Sequence, residues 1–290
     1  MAPRVRLFSD AGAFLDASQP LWDEREAELN LLIGVAFALE RGTLTTERLP
    51  LLAVLEEGGT PRGAALRTPP HGLVLAALDD EAARALAIEL STRPELLDTP
   101  SVVGADPQVE AFVNVWCDAL RTTPRLVMSQ RILSLTEVVP PPRAVGRFRP
   151  AEPSDLPRVG EWIHTFAVET LGESAGLRED SLRRTRAQIE NRRVFVWERD
   201  GEVVSTASLA RPTPRGVTVN AVYTPEEHRG NGYATSCVAA LSLRSLDEGA
   251  EMVCLYTDAT NPTSNAIYER IGYAFVARSA QWSLREPDRR

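Results

Sequence analysis

The sequence contains no lysine: all 32 of its basic residues are arginine. That absence excludes several chemistries at once. A P-loop needs a lysine on the β/γ-phosphates, a protein kinase needs its strand lysine, and a pyridoxal enzyme needs a Schiff-base lysine. Cysteine is scarce as well. The three cysteines, Cys117, Cys237 and Cys254, and the three histidines, His71, His164 and His228, show no metal-ligand spacing, so no metal site is expected. Few cysteines in an odd number suit a reducing compartment. Long apolar runs are missing: the most apolar stretch, Leu29 to Leu39, is too short to span a bilayer. The start of the chain has no apolar signal core and carries Asp10 early. These features read as a cytoplasmic protein without a membrane partner. A basic excess is also lacking. The formal charge is −8. Residues 1–142 hold 12 Arg against 20 Asp+Glu, whereas residues 143–290 hold 20 of each. Nucleic acid is therefore not an expected partner.

What is present is an ordinary globular composition, 43% hydrophobic and 25% charged, over 290 residues, a length that favours two domains. The clearest interruption is Pro140-Pro141-Pro142-Arg143-Ala144-Val145-Gly146. Three consecutive prolines continue neither a helix nor a central strand. The expected domains are 1–139 and 147–290, with 140–146 as linker.

Both parts alternate strand and helix patterns, which points to an α/β (α+β) layer fold. In the first, a long helix is expected over Trp22 to Arg41. Strands follow at Leu51–Glu56, Gly63–Arg67 and Leu73–Leu78, then a helix from Asp80, a strand at Val102–Val103 and a helix from Pro107. In the second, Asp155 is placed to cap a helix to about Leu171, and a helix follows over Glu179 to Asn191. Asp200-Gly201 joins two strands as a hairpin, and Val217 to Tyr223 is a third strand. Ala65-Leu66-Arg67-Thr68-Pro69-Pro70-His71-Gly72 is echoed by Leu209-Ala210-Arg211-Pro212-Thr213-Pro214-Arg215-Gly216, each leading into a strand. The echo suggests an internal duplication.

The stretch richest in chemistry is Val222-Tyr223-Thr224-Pro225-Glu226-Glu227-His228-Arg229-Gly230-Asn231-Gly232-Tyr233-Ala234-Thr235. A strand runs into a glycine turn, and a long helix opens directly after it. Glycines let backbone N–H groups face a ligand without a Cβ in the way. The helix start adds unpaired donors and a partial positive charge. Such a site suits a phosphate or pyrophosphate.

These residues resemble the GCN5-related N-acetyltransferase (GNAT) superfamily. Arg229-Gly230-Asn231-Gly232-Tyr233-Ala234 matches its R/Q-x-x-G-x-G/A signature. Asn261-Pro262-Thr263-Ser264-Asn265-Ala266-Ile267-Tyr268-Glu269-Arg270-Ile271-Gly272-Tyr273 is similar to its N-x-x-S-x-x-x-Y-x-x-x-G-F/Y block, and Phe148 to Leu156 looks like its first strand and helix start. The resemblance implies two GNAT-like domains in tandem, each a mixed, largely antiparallel sheet flanked by helices. It also implies acetyl-CoA (coenzyme A) as cofactor and an amine of a small molecule or peptide as acceptor. The pyrophosphate would sit on Gly230 to Thr235 with Arg229, and the pantetheine arm would pair with Val222, Tyr223 and Thr224. Asn261 and Ser264 would contact the same cofactor, and Tyr268 would serve as general acid to the departing thiolate. Glu169 and Glu173 fall where acceptor-binding residues are usual in the family.

The chain departs from the family in one respect. Gly216 to Pro225 contains no carboxylate or histidine to act as base. That departure keeps open an alternative, a non-enzymatic acyl-CoA-binding or regulatory protein. In the first half, Leu78-Asp79-Asp80-Glu81-Ala82-Ala83-Arg84 stands where the second has its glycine turn. This half is expected to be degenerate and not to bind CoA. The protein is expected to be a monomer, as a pseudo-dimer, or a homodimer.

Overall fold

The computed structural model describes residues 3–46, 48–171 and 176–285. Along the chain the same succession of elements occurs twice. The first comprises β1 (Arg4–Leu7), α1 (Ala11–Trp22), α2 (Asn30–Glu40), β2 (Leu51–Glu57), β3 (Thr60–Arg67), β4 (Leu73–Ala77), α3 (Asp80–Ser91), β5 (Ser101–Ala105), α4 (Gln108–Leu120) and β6 (Arg125–Leu135). The second comprises β7 (Arg147–Pro150), α5 (Leu156–Leu171), α6 (Arg178–Glu190), β8 (Val194–Arg199), β9 (Glu202–Ala210), β10 (Gly216–Tyr223), α7 (Tyr233–Asp247), β11 (Met252–Asp258), α8 (Pro262–Ile271) and β12 (Ala274–Ser283). Strand, two helices, three strands, helix, strand, helix, strand is the order in both. The duplication suggested by the paired Arg-to-Gly loops therefore extends to whole domains.

Two compact units form. The first consists of Met1–Leu133, Tyr256–Asn261 and Phe275–Arg290; the second of Ser134–Leu255 and Pro262–Ala274. This differs from the expected division at 140–146 in two ways. The final strand belongs to the first unit, because β12 pairs antiparallel with β5 from Ser279↔Ala105 to Ser283↔Ser101. The proline segment is no free linker but part of the second unit.

In the first unit β1, β2, β3 and β4 are antiparallel neighbours, and β4 runs parallel to β5. Alternation along β2 divides its side chains between two cores. Ala53 and Leu55 join Leu86, Phe112 and Trp116, while Leu52 and Val54 join Phe14, Trp22 and Ile33. Of the expected helix over Trp22 to Arg41 only Asn30–Glu40 forms; the acid-rich stretch from Asp23 to Leu29 is not helical, and the helix before it, Ala11–Trp22, was not expected. Asp10 caps the first of them, accepting from the Ala13 N–H at 2.8 Å.

The second unit runs β7, β8, β9, β10, β11, with only β10 and β11 parallel. Val194 and Val196 face the α5/α6 side with Val159 and Ile189. On the opposite face Phe195 lies under Arg244 of α7, at 5.1 Å. Asp155 does not cap α5. It closes a short 3-10 turn, Pro153–Asp155, by accepting from the Glu152 N–H, and it takes Arg149 through two bonds of 2.6 and 3.1 Å.

The echoed loops have a common cause. Each joins antiparallel strands and ends on a glycine beside the start of the next parallel strand. A Cβ on Gly72 would stand 2.2 Å from the Ser101 carbonyl oxygen, and one on Gly216 would stand 2.9 Å from that of Met252. In the first loop the fully buried Arg67 donates to the His71 carbonyl (2.9 Å) and to Asp98 (2.6 Å), which Arg48 also approaches. These bonds hold the Asp98 carboxyl down at about 2, below its ordinary 3.8. A depressed carboxylate pKa contributes stability above the unfolded value that is lost as pH falls toward the folded one. Asp98→Asn should therefore cost about 1–2 kcal/mol at pH 7, since the aspartate is half exposed while its partner is buried. Thermal melts should show the gap between variant and parent closing from pH 4 to pH 2. A constant gap would refute the assignment.

Candidate functional site

The site is built where β10 stops behaving as a regular strand. Its parallel ladder with β11 runs from Gly216↔Met252 to Val219↔Leu255 and goes no further. Its antiparallel register with β9 shifts between Asn220 and Tyr223, where Ala221 adopts φ +47°. A left-handed non-glycine residue in a strand marks a bulge that turns the chain aside. Ser205, fully buried on β9, ties the displaced end down. Its hydroxyl donates to the Tyr223 carbonyl (3.2 Å) and pairs with Thr224 Oγ1 (2.8 Å).

Beyond Pro225 a single 3-10 turn, Glu226–His228, leads into Arg229, and Gly230 and Gly232 follow at φ +79° and +76°. The polar side chains of this turn fold back on its own carbonyls. Arg229 Nε donates to Thr224 O (3.0 Å), and Asn231 Nδ2 donates to the His228 and Arg229 carbonyls (both 3.1 Å). Carbonyls are thereby drawn inward. Open space surrounds Gly230, and only Ala144, 3.9 Å away, approaches the Cβ position of Gly232. Helix α7 then starts at Tyr233 with Gly232 as N-cap and no capping side chain. Its first-turn N–H groups, at Tyr233, Ala234 and Thr235, have no intrahelical acceptor and sit at the positive end of the helix dipole. This is an anion cradle.

Around it, Tyr233 and Thr235 are buried, and the Tyr233 hydroxyl accepts from Arg199 at 2.6 Å. Ser264 lies in the first turn of α8, which packs on α7. Asn261 ends the segment grouped with the first unit, where its N–H donates to Asp258 O. Tyr268 is 8% exposed and packs edge-on against Tyr273, whose hydroxyl pairs with Ser242 at 2.8 Å. Burial pushes the Tyr268 phenol up to about 12.

On the α5 side, Trp162 lies 6.2 Å from Tyr223. Burial raises the Tyr223 phenol, and the charge of Glu169 adds to the effect. Glu169 is exposed on α5. Glu173 lies outside the described residues. In the sequence Trp162 is one apolar position within the helix expected up to about Leu171. Its spacing of seven residues from Glu169 places both on one helical face, which was the available signal. Ser205 and Arg199 carried no signal, because they act across strands. Among the described residues no group of three His, Cys, Asp or Glu side chains is placed to hold a metal ion, and no helix is long and apolar enough to cross a membrane.

The first unit resolves its equivalent helix start differently. Between β4 and α3 stand only Leu78 and Asp79, and Asp79 caps α3 by accepting from the Ala82 N–H at 2.9 Å. Arg62 in turn pairs with Asp79. One of the open donors is already used, and the acidic first turn carries the wrong charge for phosphate.

A bulged strand, a double-glycine turn and an uncapped helix thus stand together in this strand order. Residues 160–273 match the Acetyltransferase (GNAT) family. That segment, rather than the whole chain, carries the similarity to the family. A curated relative, mycothiol acetyltransferase of Corynebacterium aurimucosum, is 27% identical over 99 residues, 31% of this chain. The match spans about a third (33%) of that relative's length. Two solved structures share the whole two-unit fold. A GCN5-related N-acetyltransferase from Sphaerobacter thermophilus has 16% identity and a TM-score of 0.64, covering 98% of this chain and 96% of the other. A tandem GNAT protein from the clavulanic acid biosynthesis pathway has 14% identity and a TM-score of 0.55, covering 99% and 100%.

Calorimetric titration with coenzyme A should therefore saturate at one ligand per chain. A stoichiometry of two would show that the first unit's capped helix still accepts phosphate.

Proposed function

We propose that this protein transfers an acetyl group from acetyl-CoA to an amine, with the second unit as the catalytic one. The observation that carries the reading is the uncapped start of α7 behind Gly230 and Gly232, beside a strand whose ladder has stopped. Acetyl-CoA supplies a thioester, an acyl group already activated toward nucleophiles. Gly230 to Thr235 would hold its pyrophosphate through backbone N–H groups, with Arg229 adding charge. The carbonyls of Tyr223 and Thr224 already accept from Ser205 and Arg229. Pairing with the pantetheine arm as an added strand thus falls chiefly to Val222 and the neighbouring N–H groups. Ser264 completes the expected contacts within the second unit; Asn261 keeps its proposed role from sequence alone. The curated relative's name supports acetyl as the acyl unit.

Tyr268 is the proposed acid. A phenol at about 12 stays protonated throughout the physiological range and is a far weaker acid than a free thiol near 8.5. Its role as acid is therefore to donate a hydrogen bond to the sulfur as the C–S bond breaks and the amine nitrogen forms the new C–N bond; the proton the amine loses balances the one the departing thiolate takes up. On the acceptor side, Trp162 and Tyr223 offer aromatic faces and Glu169 a negative charge, a combination that attracts an ammonium group. Tyr223 and Glu169 are proposed to position the amine; Glu173 keeps the same proposed role from sequence alone.

One observation favours a second reading, an acyl-CoA-binding regulator. The exposed residue before the bulge is Asn220, which supplies no base. Release of free thiol from acetyl-CoA in the presence of an amine library separates the two, since a regulator releases none.

Tyr268→Phe should lower turnover at least tenfold while changing acetyl-CoA affinity less than threefold. Equal loss of both would argue for a packing role. Gly232→Val forces a β-branched residue into a left-handed conformation, at about 1–2 kcal/mol. It should weaken acetyl-CoA binding at least tenfold. Unchanged affinity by titration would remove the phosphate from this turn.

A further inference from the structure

The proline segment was expected to be a tether, and it is bound at both ends within the second unit. At one end the Val139 N–H donates to the Ile271 carbonyl at 2.8 Å, at the foot of the helix that carries Tyr268. At the other end the Ala144 N–H donates to Ser236 Oγ at 2.9 Å, one turn into α7, and Trp197 Nε1 donates to the Val145 carbonyl at 3.1 Å. Gly146 fits where a Cβ would stand 2.5 Å from the Glu198 carbonyl oxygen. Pro140 to Pro142 stiffen the chain between these anchors. The segment is thus a strap that ends beside the phosphate turn, with Ala144 3.9 Å from the Cβ position of Gly232.

We propose that the strap is a cofactor-binding element and that Arg143 takes the 3′-phosphate of coenzyme A. The proposal rests on the acetyl-CoA reading above and assigns a further residue to it. Arg143 is exposed, with its guanidinium 5.6 Å over the buried Trp197 ring. Among the described residues it has no carboxylate partner, and its arginine neighbours are committed elsewhere. Arg199 is held by the Tyr233 hydroxyl and by Asp200 at 3.3 Å. Arg147 pairs with Glu198 and Arg158 with Glu202, while Arg229 bonds Thr224 O through Nε and is already assigned to the pyrophosphate. Acids are also near: Glu226 and Glu227 are exposed in the turn, and Glu202 approaches His228 at 4.0 Å. They leave no broad positive field, so recognition depends on one placed cation rather than on net charge. A phosphomonoester dianion suits a guanidinium with its full donor set free. Anchoring of the backbone on both sides lowers the ordering cost of that contact.

The test compares coenzyme A with 3′-dephospho-coenzyme A by calorimetry on the full chain. The parent protein should bind coenzyme A about tenfold or more tightly. Arg143→Gln should reduce that preference to about threefold or less, leaving the affinity for the dephospho form unchanged. Arg199→Gln should preserve the preference. Thermal melts of both variants check that folding is retained. Equal binding of the two ligands by the parent, or a parallel loss of both in Arg143→Gln, would overturn the proposal. So would a preference that collapses in Arg199→Gln instead. Failure of the parent to bind either ligand would overturn it together with the acetyl-CoA reading, a result distinct from binding without discrimination.

Discussion

Helix α7 begins without a capping side chain, and the rest of the second unit is arranged around that omission. A helix start leaves backbone donors that must find an acceptor in protein, water or ligand. Here Gly230 and Gly232 clear the space in front of those donors. Arg229 and Asn231 spend their own hydrogen bonds on turn carbonyls, so the carbonyls do not compete. The bulge at Ala221 shifts the end of β10 in its ladder with β9, beyond the last residue paired with β11. Ser205 then fixes that end. Each device costs some local stability, and together they create one place with an excess of donors.

The two units show what the same strand order does with and without that omission. In the first, Asp79 supplies the missing acceptor, Arg62 balances its charge, and the connection from β4 shortens to two residues. The helix start is capped within the protein, and acids fill its first turn. Both units keep the glycine that lets the loop pass under the next parallel strand, at Gly72 and at Gly216. Packing constraints on the scaffold have been retained in both, while the ligand-facing feature stands in one only.

Tyr268 illustrates how burial changes a role without changing a residue. Its ring is packed against Tyr273 and its phenol is held protonated by desolvation. Such a group is better placed to stabilise negative charge than to give up its proton to bulk water. The lysine-free composition fits the proposed chemistry, which would use backbone donors, arginines and a phenol in place of an amine.

Much of this was legible in the chain itself. The strand–turn–helix at Tyr223 to Tyr233, the hairpin at Asp200-Gly201, and the helices of the second half follow from local pattern, because glycine positions and hydrophobic periodicity are local facts. So does the doubled order of elements, once the paired loops are noticed. Helix α1 and the late start of α2 were not legible, since Trp22 to Arg41 keeps a helical pattern through an acid-rich turn. Nor was the placement of β12: alternation makes it a strand, but nothing in it names β5 as partner, and pairing is decided by distant backbone groups. The strap is the plainest case. Three prolines exclude helix and central strand, which sequence determines by itself. That Ala144, Val145 and Arg143 then settle on Ser236 and Trp197, more than 50 residues away, was decided only by tertiary packing, because those hydrogen bonds exist between surfaces the sequence does not bring together.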